Sequence, residues 1–262
     1  MNKSLASLAS LASLLLATPL AAYAADETPG DSPATFNAAL TSDYRYRGIS
    51  QTRTKPAFQF GADKSFKGGF YVGAWASTIK WVQDAEGDAN LEIDLYGGFK
   101  GEIAKDVGFD VGVLQYVFPG AKTTKWNAAY KDPNTTEIYG AVTSGPVTGK
   151  ISYALTNLFG NYDFAKKKDS KGSLYFDLSA SFDLGDGLLL APHIGYQKVV
   201  DIANASYTDF SVSISKDFSG WVPSLTLYGT DADKGFYVPG VAAKSSKFLG
   251  KTGLVAAIKF NF

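Results

Sequence analysis

The chain has no cysteine, one methionine, one histidine and only three arginines among its 25 basic residues. Without thiols it can form no disulfide, no thiolate metal site and no cysteine nucleophile. The single histidine, His193, would need an activated serine beside it for nucleophilic catalysis, and no local motif marks one. Metal binding would fall to carboxylates. The nearest group, Asp84, Glu86 and Asp88 around Gly87, lacks the length of a calcium loop. No cofactor, no metal and no enzymatic activity are therefore expected. A charge excess is missing too: 25 basic residues balance 25 acidic ones, so nucleic acid is not an expected partner. Beyond residue 22 no run of 18 apolar residues occurs, which excludes helical membrane spans. It does not exclude strands, whose apolar content is hidden by alternation.

What is present begins with an export signal. Lys3 precedes an apolar stretch over residues 5–22, and Ala22-Tyr23-Ala24 offers a small-x-small cleavage site. A signal peptide is expected over residues 1–24, with a single domain over 25–262. An N-terminal anchor is the alternative, which Pro19 and the small residues disfavour. The 27 glycines, 15 tyrosines and 18 phenylalanines suit tight turns, strands and aromatic girdles.

Alternation then recurs along the chain. Phe36, Ala38, Leu40, Ser42, Tyr44 and Tyr46 stand against Asn37, Ala39, Thr41, Asp43, Arg45 and Arg47. Leu174, Phe176, Leu178, Ala180 and Phe182 stand against Tyr175, Asp177, Ser179, Ser181 and Asp183. Leu91, Ile93 and Leu95 likewise oppose Glu92, Asp94 and Tyr96. About twelve such segments can be traced, an even number as bacterial barrels require. Over residues 70–81 two parities compete for the apolar face, and Pro192 falls awkwardly in mid-strand. Short connections near residues 67–69, 102–106, 145–146, 185–187 and 219–220 alternate with long polar ones. This sorting is what an outer-membrane barrel imposes, with short periplasmic turns and long surface loops. The chain ends on an alternating row through Leu254, Ala256, Ile258, Phe260 and Phe262, which resembles the C-terminal assembly signal of outer-membrane proteins. The expected fold is all-β, a transmembrane antiparallel barrel of about twelve strands.

All three arginines lie within nine residues, as Arg45, Arg47 and Arg53. Arginine presents a planar fork that pairs bidentately with carboxylates or phosphates. Two readings follow. The arginines form an anion-selecting or substrate-orienting patch at the outer end of the lumen, or they brace the barrel by pairing with lumen carboxylates such as Asp63, Glu92, Asp94 or Asp177. With Asp43, Asp110, Glu137, Asp183 and Asp209 also on the inward parity, against Lys100, Lys150 and Lys259, the interior reads as acidic. Constriction candidates are Arg45, Arg47, Arg53, Asp43, Asp63, Glu92, Asp94 and Asp177. Lys166-Lys167-Lys168 reads as a solvated loop run that could face lipopolysaccharide phosphates.

The segment Ser42-Asp43-Tyr44-Arg45-Tyr46-Arg47-Gly48-Ile49-Ser50-Gln51-Thr52, followed by Lys55-Pro56-Ala57 and Gly69-Phe70-Tyr71-Val72-Gly73-Ala74-Trp75-Ala76-Ser77, resembles the proteobacterial Gcw_chp family, also called TorF-type porins. The resemblance implies an outer-membrane barrel with channel activity, and it carries no substrate and no catalytic residue. The expected function is a porin-like channel for passive diffusion of small solutes. Its partners would be outer-membrane lipid and lipopolysaccharide, the assembly machinery and the solutes themselves. An enzymatic or adhesive barrel, a structural barrel with an occluded lumen and a soluble periplasmic β-protein are the competing readings.

Overall fold

The computed structural model describes residues 32–121, 130–240 and 245–262. The expected signal peptide and the middle of two long loops lie outside the described residues. Period-two alternation favours extended chain, and each alternating segment forms a strand. The first six are β1 Thr35–Thr41, β2 Ala57–Ser65, β3 Phe70–Thr78, β4 Leu91–Ala104, β5 Val107–Val117 and β6 Thr135–Ser144. The rest are β7 Val147–Ala154, β8 Leu174–Ala180 with its continuation Phe182–Asp183, β9 Leu188–Lys198, β10 Tyr207–Lys216, β11 Trp221–Thr230 and β12 Gly253–Asn261. Every strand pairs antiparallel with its neighbours in sequence. β12 returns to β1 from Asn37↔Asn261 to Thr41↔Ala257, closing a twelve-stranded up-and-down barrel with no free edge. The short turns gather at one end and the long connections at the other. No helix among the described residues is long and apolar enough to cross a membrane, which says nothing of strands.

Burial is inverted relative to a water-soluble core. Leu40, Phe58, Val72 and Leu254 are each more than half exposed on the outer face, whereas Ser211, Ser213 and Ser215 are buried on the inner face of β10. The parity of β3 is now decided: Phe70 and Val72 point outward, Tyr71 and Ser77 inward. Trp75 meets Tyr44 edge to face inside the barrel, with ring centroids 5.2 Å apart. At the short-turn end, Trp221, Phe260, Phe262, Phe36 and Phe60 form a continuous outer row with successive centroids 4.5–6.3 Å apart. The backbone of Phe262 exchanges two hydrogen bonds of 2.9 Å with Phe36. Asp183, expected inside, is exposed at this rim instead.

Pro192 is accommodated by a lapse in one ladder. The β8–β9 pairing stops after Ser179↔His193 and resumes in the same register at Phe182↔Leu190. The missing N–H therefore falls where β8 is interrupted, while the ladder to β10 continues through Pro192↔Val212.

Inside, tyrosines lie over glycines on the adjacent strand. A Cβ on Gly73 would meet the ring of Tyr96, on Gly98 or Gly112 the hydroxyl of Tyr71 or Tyr139, and on Gly195 the hydroxyl of Tyr175. The glycine leaves the backbone bare and the ring covers it, a pairing that lets large side chains fit a narrow bore. A Gly195→Ala barrel is expected to lose about 1–3 kcal/mol through overpacking against Tyr175. Gly149→Ala, where a Cβ meets nothing within 4 Å, should be close to neutral. Urea unfolding of the two variants in detergent checks the contrast.

Candidate functional site

β1 ends at Thr41 instead of running on through Arg47, and the chain turns into the bore. This corrects the alternation reading, which put Tyr44 and Tyr46 on the apolar outside; they are buried inside, at 4% and 7% exposure. The cause is local. Asp43 accepts hydrogen bonds from Ser50 Oγ at 2.5 Å, Arg45 Nε at 2.8 Å and Thr52 Oγ1 at 3.1 Å, closing the segment on itself. Arg45–Tyr46 then pairs with Ile49–Ser50. The connecting residues, Arg47 and Gly48, have φ of 45° and 79°, as in the two-residue turns that suit β-hairpins. The product is a miniature hairpin with Arg47 at its tip.

This hairpin crosses the bore. Tyr44 donates to Glu92 of β4 at 2.8 Å, and the Tyr46 and Tyr116 hydroxyls lie 3.1 Å apart. A Cβ on Gly48 would stand 2.5 Å from Thr230 and 2.9 Å from Asp209, so the positive φ and the space both demand glycine. Two further elements complete the filling. The turn Leu158–Gly160 brings Phe159 within 5.1 Å of the rings of both Tyr46 and Tyr116, and the helix α1, Trp81–Asp84, brings Trp81 within 5.1 Å of Phe118. The long-loop mouth of the barrel is packed with aromatic side chains.

The three arginines fasten this filling. Arg45 reaches, besides Asp43, the carbonyls of Gly48 at 3.1 Å and Lys251 at 2.8 Å. Arg47 forms a bidentate pair with Glu137, Nη1 to Oε1 at 3.2 Å and Nη2 to Oε2 at 2.8 Å, and Nη1 also donates to Gln197 Oε1 at 2.5 Å. Its guanidinium lies 4.0 Å above the ring of Tyr175. Arg53 pairs with Asp84 through two nitrogens, tying the loop to α1. The Asp84 carboxylate thereby holds the Arg53 guanidinium above its usual proton affinity. Asp84 is thus buried in an ion pair rather than free in a surface acidic cluster.

None of the four carboxylates expected as arginine partners fills that role. Glu92 is taken by Tyr44 and Asp63 accepts from Tyr96 at 2.5 Å. Asp177 faces His193 Nε2 at 2.7 Å, and Asp94 Oδ1 is buried without a hydrogen bond. The reason is geometric: the arginines travel with the hairpin, whose tip reaches β6 and β9 across the bore. Gln197 and Tyr175 are arginine partners that local sequence does not reveal, though their parity alone places them inward.

Below the hairpin lies a second polar layer. His193 sits between Asp177 and Asp209, its Nδ1 3.7 Å from Asp209 Oδ1, and the Tyr175 hydroxyl donates to Asp209 at 3.0 Å. Lys150 stands opposite Asp177 in register, its ammonium 4.0 Å from the ring of Tyr139. Nearer the short-turn end, Tyr71 donates to Asp110 at 2.6 Å and contacts the Tyr139 hydroxyl. Buried carboxylates and cations therefore line the wall below the filled mouth.

Closure, strand number and this lining define a closed twelve-stranded antiparallel barrel with a polar interior. Over residues 27–262 the chain matches a family described as "Bacterial protein of unknown function (Gcw_chp)", and it belongs to that family. Solved structures with the same fold include the NanC porin, with TM-score 0.53, 8% identity, 88% of this chain and 99% of that one covered. The KdgM porin aligns with TM-score 0.52 and 7% identity over 87% of this chain and 99% of that one. At such identities the likeness concerns the fold. No curated protein matches the chain.

Removing one partner of the Arg47–Glu137 pair strands a buried charge, so Arg47→Ala is expected to cost about 3–5 kcal/mol. Arg47→Met combined with Glu137→Leu should cost less than either single change. Urea midpoints in detergent of the native barrel, Arg47→Met, Glu137→Leu and the double variant measure the coupling, and that of Arg47→Ala the cost of truncation.

Proposed function

We propose that this barrel lies in the outer membrane of a Gram-negative bacterium and acts as a porin-like channel for passive diffusion of small solutes. In this reading the hairpin of residues 43–52 restricts the cell-surface mouth. The observation that carries it is an apolar outer belt around a charge-lined polar bore, a combination that suits lipid outside and water inside. The outward aromatic row ending at Phe260 and Phe262 would sit at the periplasmic interface and serve in assembly. The lysine run near residue 167 would face lipopolysaccharide. A related KdgM structure is described as a complex with disordered oligogalacturonate. All three arginines here are engaged by carboxylates of the chain itself, which argues against a polyanionic solute for this protein.

The filled mouth gives a second reading some weight, that of a structural barrel with an occluded lumen. An enzymatic role draws less support, because the nitrogens of His193 face Asp177 and Asp209 rather than a serine. Planar-bilayer recording separates the first two. The native barrel is expected to give small or rare current steps, and a barrel with residues 43–55 replaced by a short Gly-Ser linker should give steps at least severalfold larger. A replaced barrel that is folded by its heat-modifiable gel shift yet passes no current would sink the channel reading.

A further inference from the structure

Apart from the hairpin's own Tyr46, whose ring lies 4.7 Å from the guanidinium, the seat of Arg47 is built from the barrel wall. Glu137 comes from β6, Tyr175 from β8 and Gln197 from β9, and none belongs to the hairpin that fills it. Its parts are preorganised. Gln197 Nε2 donates to the Leu174 carbonyl at 3.0 Å, Glu137 accepts from the Tyr116 hydroxyl at 3.4 Å, and Tyr175 is held by its hydroxyl bond to Asp209 and by close packing over Gly195. The geometry is specific to one chemical group. Two carboxylate oxygens meet two nitrogens of a single planar cation, an amide oxygen meets one of them again, and an aromatic face closes the site from beneath. An ammonium would match neither the bidentate edge nor the flat face.

The occupant, by contrast, is held in a form that costs energy. Arg47 adopts a φ of 45°, a region that side chains other than glycine rarely enter. The hairpin carrying it has only two paired residues on each side. Around the seat, the wall carboxylates Glu92, Asp94, Glu137, Asp177 and Asp209 outnumber the wall cations Lys150 and His193, and Asp94 Oδ1 is buried without a hydrogen bond. If the hairpin withdrew, Arg45 and Arg47 would leave together and the bore would be strongly acidic at this level.

We propose that this seat is a recognition site for solutes bearing a guanidinium group, occupied in the resting barrel by the chain's own Arg47. The inference rests on the channel reading and names its solute class. The hairpin acts as an internal stand-in for the solute, and passage begins when an external guanidinium takes its place on Glu137, Gln197 and Tyr175. A tethered group competes at an effective concentration on the order of millimolar. Removing Arg47 should therefore expose the seat to millimolar ligand.

The test uses the full-length Arg47→Ala barrel with methylguanidinium as probe, and Arg47→Met, which keeps the bulk of the stem, if the alanine variant does not fold. In planar bilayers at constant ionic strength, methylguanidinium is expected to block the variant's current at least tenfold more strongly than methylammonium does. The block should disappear when Glu137→Gln is added. A conducting variant that methylguanidinium blocks no better than methylammonium, or equally with and without Glu137→Gln, overturns the site while leaving the channel reading intact. If neither this barrel nor the linker-replaced one conducts, the channel reading fails, and thermal melting in detergent decides the site. Methylguanidinium raising the Tm of Arg47→Ala but not of Arg47→Ala/Glu137→Gln supports the seat, and equal shifts in both refute it.

Discussion

The ladder between β1 and β12 is the constraint on which the rest depends. Pairing Asn37 through Thr41 with Asn261 back to Ala257 joins the first and last strands and leaves no backbone edge unsatisfied. In an apolar solvent each unpaired N–H or C=O would cost several kcal/mol, so a sheet that spans such a medium must close on itself. Closure also fixes which face points inward. Once the cylinder is formed, every inward side chain shares one narrow volume, and polar groups that would otherwise be hydrated must find one another.

That shared volume accounts for the interior chemistry. Tyrosines rest on glycines so that rings fit beside the wall, and their hydroxyls reach the carboxylates Asp63, Asp110 and Asp209. Cations are opposed by carboxylates or aromatic faces, as with Arg47 on Glu137 and Tyr175 or Lys150 over Tyr139. In a low-dielectric wall such pairings are strongly favoured for charge, because leaving one partner alone costs far more than the pair contributes. The hairpin exploits this. Its arginine supplies a counter-charge to a wall that is acidic without it, which anchors the locally folded segment of residues 43–52 in the bore.

Much of the architecture was legible in the chain. Strands such as β8 and β12 announce themselves by strict period-two alternation, and the regular sequence of short and long connections carries the up-and-down order. Legibility fails where the chain departs from that period for reasons outside it. The alternation through Tyr44 and Tyr46 continues past Thr41, yet the strand does not, because Asp43 finds Ser50 and Thr52 and folds the segment inward. Pro192 looked incompatible with a closed sheet until the local lapse of β8 absorbed it. Over β3 both parities were apolar, and only the neighbours across the barrel could choose between them.

The class of fold, a count of about twelve strands, the inward and outward faces of most of them and the clustering of all three arginines are readable along the chain. These are properties of residues near one another in the chain, where side-chain period and turn chemistry act directly. The tertiary structure alone decided which partners those arginines meet, that the mouth is filled, and that a seat for a planar cation exists. Arg47 lies 90 residues from Glu137 and 150 from Gln197, and such pairs come together only because twelve strands close into one ring.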